Sequence, residues 1–243
     1  MKNSLTTLAL LMTLFALQAS AQVSLNVVGY YNVVLYPGDN LIANQLNTTD
    51  NTINHLLNYG SGRIADSSTF TKWDPAGNHF QPVSIYDASS DLWTINHSLN
   101  LTEGGLLHSP ELKTNTFIGE VNQTYFDANS GVFRYGNYPS YANGLYLISC
   151  PVPVNGASFL NVVGRAPHDG EWVRILNPAT QVYTLTTFNA TLGTWDHGAP
   201  ALNVGQAAWF DLGPVIVPEP SSAALALLAA TTLLALARRK SRI

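Results

Sequence analysis

The chain has 243 residues, 46% of them hydrophobic, but only 11% are charged, with a formal net charge of −4. Lys2, Arg238, Arg239, Lys240 and Arg242 lie at the two ends and, of the acids, only Glu219 does, so the stretch between carries six cations against fourteen acids, near −8. Such an acidic body excludes nucleic-acid binding, which needs Lys and Arg to displace counterions, and the single Cys150 excludes an internal disulfide.

In chain order, Met1 to Ala21 reads as a secretory leader. Lys2 supplies the positive start, Leu5 to Leu17 is apolar apart from threonines, and Ala19-Ser20-Ala21 offers the small residues that signal peptidase needs. Cleavage there leaves Gln22 as the mature N-terminus. Val27 to Leu35 is rich in β-branched and aromatic residues and predicts a strand. Pro37-Gly38-Asp39-Asn40 predicts a turn and Asn40 to Leu46 the next strand. Thr49 to Asn58 predicts a short helix capped by Thr49 or Asp50, with Ile53, Leu56 and Leu57 on one face. Thr69 to Trp73, the turn Asp74 to Asn78 and His79 to Tyr86 predict a hairpin. Thr124 to Phe126 and Val132 to Tyr135 predict a second, and Trp172 to Leu176 with Val182 to Phe188 a third.

The chain also repeats itself. Leu41-Ile42 aligns with Leu147-Ile148 at an offset of 106, Asn51 and Leu56 with Asn155 and Leu160 at 104, Asp74-Pro75-Ala76 with Asn177-Pro178-Ala179 at 103, and Trp93 with Trp195 at 102. The steady fall suits small deletions in loops. Val28-Gly29 lies over Ile118-Gly119, and the second copy then carries an insertion at Phe126 to Tyr138. The fold expected is mainly β, with two tandem related units over 22–112 and 113–214, each sandwich-like or barrel-like with short helices. A leader at 1–21 and a tail at 215–243 flank them.

The tail has three parts. Val217-Pro218-Glu219-Pro220 is followed by the small and apolar run Ser221 to Ala237, then by Arg238, Arg239, Lys240 and Arg242. Seventeen helical residues span about 25 Å, enough for a short membrane crossing when the flanking cations reach the headgroups. The cations stay cytoplasmic and stop transfer, and the prolines end the helix at the outer face.

This arrangement resembles the PEP-CTERM sorting signal, carried by Pro218, Glu219 and Pro220, the Ala/Leu-rich helix and the Arg-rich terminus. The resemblance implies processing near Pro-Glu-Pro by an exosortase, a membrane-embedded transpeptidase-like enzyme, and delivery to the envelope or extracellular matrix of a Gram-negative bacterium. The repeat resembles a recurrent β module of secreted bacterial proteins, through Gly38 to Gln45, Trp73 to Asn78 and Glu103 to Leu107 and their second-copy matches Gly144 to Pro151, Leu176 to Gln181 and Gly205 to Phe210. That resemblance implies placement in envelope or matrix proteins, without established catalysis.

Catalytic signatures are lacking: the sequence has no His-Glu-x-x-His, no Gly-x-Ser-x-Gly, no phosphate-binding Gly loop and no Cys pair. The six histidines have no ligand spacing. Cys150 has no base partner visible in sequence, and Asp127-x-Asn129-x-Gly131 lacks the later ligands of a calcium loop. No catalytic residue, metal or cofactor is expected. Beside signal peptidase, exosortase and membrane, exopolysaccharide stands as an alternative partner. The readings that remain are a structural surface or matrix protein, a carbohydrate-binding adhesin and a hydrolase of unrecognised type. Exposure of Trp73, Trp93, Trp172 and Trp195 on one face would favour the adhesin. A cleft gathering Asp and Glu would favour the hydrolase.

Overall fold

The computed structural model describes residues 27–57, 64–128 and 130–213. The leader with Ala19, Ala21 and Gln22, and the tail with Pro218, Glu219, Pro220, Arg238, Arg239, Lys240 and Arg242, lie outside the described residues. Among the described residues the chain is mainly β, and no helix is long and apolar enough to cross a membrane.

The first strand, β1 (Val28–Leu35), does not join the strands next to it in sequence. It pairs antiparallel with β8 (Lys113–Glu120), in register from Val28 opposite Glu120 to Leu35 opposite Lys113. Tyr31 stacks on its cross-strand partner Phe117, with ring centroids 4.9 Å apart. Its hydroxyl donates to the Ala43 carbonyl at 2.9 Å and accepts from the Gln45 amide at 3.0 Å, which fastens this ribbon to the sheet beside it.

The first sheet runs β2 (Gly38–Ala43), β7 (Gly104–Ser109), β3 (Thr69–Asp74), β5 (Ser84–Asp87) and β6 (Leu92–Trp93), with the short β4 (His79–Phe80) on β3. The second runs β11 (Gly144–Ile148), β17 (Ala208–Leu212), β13 (Trp172–Asn177), β14 (Val182–Asn189) and β15 (Thr194–Trp195). Each sheet thus places its first strand beside its last, then the hairpin strands, then the short edge. The helical turns α1 (Ile53–Leu56) and α2 (Phe159–Val163) come after β2 and β11 respectively. The insertion expected after β8 forms β9 (Phe126–Asp127) and β10 (Val132–Phe133), and the short β12 (Ala157–Ser158) pairs with β16 (Ala201–Leu202).

The local chemistry matches residue by residue. The Asp74 side chain accepts from the Ala76 amide, and the Asn177 side chain from the Ala179 amide, both at 3.0 Å. Each turn ends on a residue with positive φ, Asn78 (52°) and Gln181 (58°). Asp66 caps the Ala88 amide at 2.9 Å as Asp169 caps Ala190 at 2.8 Å. Replacing Asp74 by Ala, which removes one half-exposed Asx bond from the β3–β4 turn, is expected to cost about 1 kcal/mol; a urea midpoint equal to that of the unaltered protein would contradict this.

Two expectations are corrected. The strand foreseen over His79 to Tyr86 is broken into β4 and β5, because Pro82 has no amide to offer a ladder. The helix foreseen over Thr49 to Asn58 starts later, with Thr52 at its N-cap and no side-chain cap bond. The Asp50 carboxylate instead accepts from the Thr52 amide at 2.9 Å, forming a turn before the helix. In α2 the Ser158–Asn161 capping box is complete and Gly164 ends the helix at φ 81°.

Alternation along the strands gives each sheet two covered faces. Ile42, Phe70 and Leu107 point to a core closed by α1 and the β1–β8 ribbon. Ile148, Val173 and Phe210 point to a second core closed by α2 and the insertion. The residues between them, Leu41, Ala43, Leu147 and Leu176, meet in a third cluster that joins the two sheets.

Candidate functional site

The junction between the sheets has a reciprocal geometry. Ile42, at the end of β2, bridges to Gln206, and Ile148, at the end of β11, bridges to Glu103. The Ala43 amide donates to the Gly205 carbonyl at 2.9 Å and the Ser149 amide to the Thr102 carbonyl at 3.0 Å. These pairs differ by the offsets 106 and 103 seen in the sequence, so each sheet offers the other the same edge. The arrangement is that of an isologous interface inside one chain. On its axis lie Gly104 and Ala207, counterparts that touch: a Cβ on Gly104 would sit 2.5 Å from that of Ala207.

Reciprocity creates two related clefts, one on either side of the axis. One, of about 180 Å³, is walled by Leu41, Ile42, Leu176 and Pro178, with Gly205 and Gln206 along its floor. The other, of about 200 Å³, is walled by Leu147, Ile148, Trp73 and Pro75, with Thr102 and Glu103 in the matching places. The first is chemically quiet. Gln206 donates to the Leu176 carbonyl at 3.0 Å and accepts from the Asn203 amide at 3.1 Å. Asn40 is spent on the turn below it, bonding Tyr36 and Gly38.

The second cleft is not. Lys72 meets Glu103 at 2.6 Å, with Lys72 also donating to the Ser98 carbonyl at 3.1 Å. The same Glu103 oxygen accepts from the Asn100 amide at 2.7 Å, which leaves its other oxygen without a partner among the described residues. Trp73 is fixed by its indole N–H, which donates to the Leu145 carbonyl at 2.8 Å, and by edge-on packing against Trp209 at 5.1 Å. Tyr141 and Tyr146 face each other edge-on at 5.2 Å. The Tyr141 hydroxyl is buried and is directed toward Thr102. Burial pushes its ionisation up to about 12, so it remains a neutral donor.

Thr102 itself has φ 71°, and its counterpart Gly205 has φ 73°. Glycine adopts that conformation freely, whereas a β-branched residue is strained there. The Lys72–Glu103 pair is the cleft's only charge, and the described lining holds one carboxylate where two-carboxylate glycoside hydrolysis needs a pair.

The four tryptophans do not share a face. Trp93 is buried against Phe70 and Tyr86 in the first core. Trp195 sits half-buried at the rim of the second, against Phe159 and Phe188. The difference lies in the segment C-terminal to each ring: His97 and Leu99 are buried after Trp93, while His197 to Ala199 stand exposed beyond Trp195. Trp73 reaches the junction, and Trp172 is half-buried on β13.

Other sequence candidates resolve into structure. Cys150 is fully buried, which pushes its thiol up to about 12 and keeps it protonated. The Asp127 loop is a hairpin turn in which Asp127 pairs with Arg134 at 3.1 Å and accepts from the Gly131 amide at 2.7 Å. His97 is buried, with Nε2 2.8 Å from the Pro82 carbonyl. No cluster of metal-ligating side chains occurs among the described residues. The Lys72–Glu103 pair and Trp209 were not singled out by motif. The signal for the cleft lay in the repeat, which sets Trp73 over Leu176 and Glu103 over Gln206.

No protein-family model, curated protein or solved structure matches this chain.

Proposed function

We propose that this chain is an exported envelope protein whose tail is a PEP-CTERM sorting signal, processed by an exosortase, and whose β-rich body has a structural role at the cell surface or in the matrix, without catalysis. The observation that carries the reading is the order of the three tail parts: Pro218-Glu219-Pro220, the apolar run Ser221 to Ala237, then Arg238, Arg239, Lys240 and Arg242. The leader ending at Ala19-Ser20-Ala21 delivers the body across the membrane, and signal peptidase frees Gln22. The apolar run halts export with the cations inside. Two prolines keep the chain extended at the outer face, the form in which a protease takes its substrate.

We read the body as two copies of one unit, 22–112 and 113–214, packed as a sandwich through the junction. The common strand order supports that reading, as do the matched turns and the reciprocal bridges. A body whose polarity comes from Asn, Ser and Thr suits an exposed, weakly charged surface protein.

Glu219 gives the extended segment one negative mark. Replacing it by Ala is expected to leave export intact but to hold the protein in the membrane fraction, because the tail is no longer removed. Fractionation of cells with an active exosortase reads this directly. Equal release of the Glu219→Ala and unaltered proteins would count against recognition at this motif.

A further inference from the structure

We propose that the Trp73 cleft binds one pyranose ring of a neutral polysaccharide, with Lys72 and Glu103 holding two neighbouring hydroxyls of that ring. The inference goes beyond sorting and surface placement, and it rests on comparing the two clefts within the molecule. Both are built on the same backbone, with Leu147 and Ile148 answering Leu41 and Ile42, and Pro75 answering Pro178. The sister cleft therefore shows what packing alone requires: Leu176, Gln206 and Gly205, with the polar groups of Gln206 bonded internally. At the same places the Trp73 cleft carries an indole, a carboxylate and a strained threonine. None of these is needed to close the junction, since the sister closes it without them.

The chemistry of the departures specifies the ligand. Trp73, Tyr141 and Tyr146 supply aromatic surface against which the C–H face of a sugar ring packs. Vicinal hydroxyls present a donor and an acceptor side by side, and the adjacent Glu103 oxygen and Lys72 ammonium answer them. At about 200 Å³ the space is smaller than the ~300–1,000 Å³ of pockets for drug-sized ligands, so it takes a single ring. Lys72 and Glu103 cancel each other, and a body near −8 repels polyanions. Both favour an uncharged polymer.

The test uses the full-length protein in a detergent without sugar headgroups. It is titrated with α- and β-linked hexasaccharides of glucose, mannose and galactose while tryptophan fluorescence is followed. Saturable binding of at least one hexasaccharide is expected. Trp73→Leu and Glu103→Gln install the sister cleft's own side chains, and each is expected to weaken binding by about tenfold or more, which is ~1.4 kcal/mol. Asn32→Ala, in the sister cleft, is expected to leave it unchanged. Thr102→Gly is expected to weaken binding while the thermal midpoint stays level or rises, because glycine relieves the positive φ. No binding of any hexasaccharide by the folded protein would overturn the proposal. So would unaltered binding by both Trp73→Leu and Glu103→Gln, two variants whose folding is checked by their melting midpoints. The titration is indifferent to the fate of the tail, so it fails or succeeds separately from the sorting reading.

Discussion

Replacing Glu171 by Ala is expected to destabilise the body by about 3 kcal/mol, the largest single effect foreseen. The Glu171 side chain is 1% exposed. It accepts from both guanidinium nitrogens of Arg165, at 2.9 and 2.6 Å, from the His168 amide at 2.8 Å and from the Gly213 amide at 2.8 Å. One carboxylate therefore ties the loop after α2 to the end of β17, the point where the chain leaves the body for the tail. Breaking a buried pair by removing one partner typically costs about 3–5 kcal/mol, and Arg165, a quarter exposed, recovers part of that by solvation. Burial alone would raise the Glu171 carboxyl, but the Arg165 and amide bonds outweigh it and hold the group below the usual 4.5. A depressed carboxyl stabilises the fold at pH above the unfolded value and loses that contribution as pH falls through the folded value. Glu171→Gln should therefore lower the urea midpoint at pH 7 and flatten its decline below pH ~4.5. An acid limb as steep as that of the unaltered protein would contradict the assignment.

Gly104→Ala is expected to cost about 2–3 kcal/mol. The added Cβ would meet Ala207 at 2.5 Å and the Leu147 side chain at 3.0 Å, in a cluster that both sheets share. Neither neighbour can step aside, since Ala207 is fully buried and its amide donates to the Leu41 carbonyl at 3.0 Å. The reciprocal geometry supplies the rescue. Gly104→Ala with Ala207→Gly moves the single methyl to the other side of the axis and should recover more than half of the loss. Additive destabilisation in the double variant, measured as thermal midpoints, would show that these two residues do not face each other across an internal twofold.

Much of this architecture was legible in the chain. The mainly β character followed from the β-branched and aromatic runs, and Asp74-Pro75 and Asn177-Pro178 foretold matching Asx turns, because turn chemistry is local. The contacts that join the sheets were not legible. Gly205 bonds Gln45 across 160 residues, and the β1–β8 ribbon pairs the opening strands of the two repeats. Nothing in a local pattern of apolar residues encodes such partners. The Trp195 environment was not legible for a related reason. Its position in the repeat matches Trp93, but its burial depends on the stretch after it, where the copies differ. Glu171 also escaped notice, since a lone Glu in a loop carries no motif; its counterpart Ser68 is buried with an unpartnered hydroxyl. The cleft was half legible: the alignment exposes Trp73 over Leu176, but only the fold brings Lys72, Glu103 and Tyr141 to that place.

The reading of the chain as an exosortase-sorted envelope protein is tested most directly by the intact mass of the protein recovered from the envelope of cells with an active exosortase. The mature species should begin at Gln22 and end near Pro218-Glu219-Pro220, without Ser221 to Ile243. A mass that includes every residue through Ile243 would contradict sorting and leave a permanently anchored protein in its place.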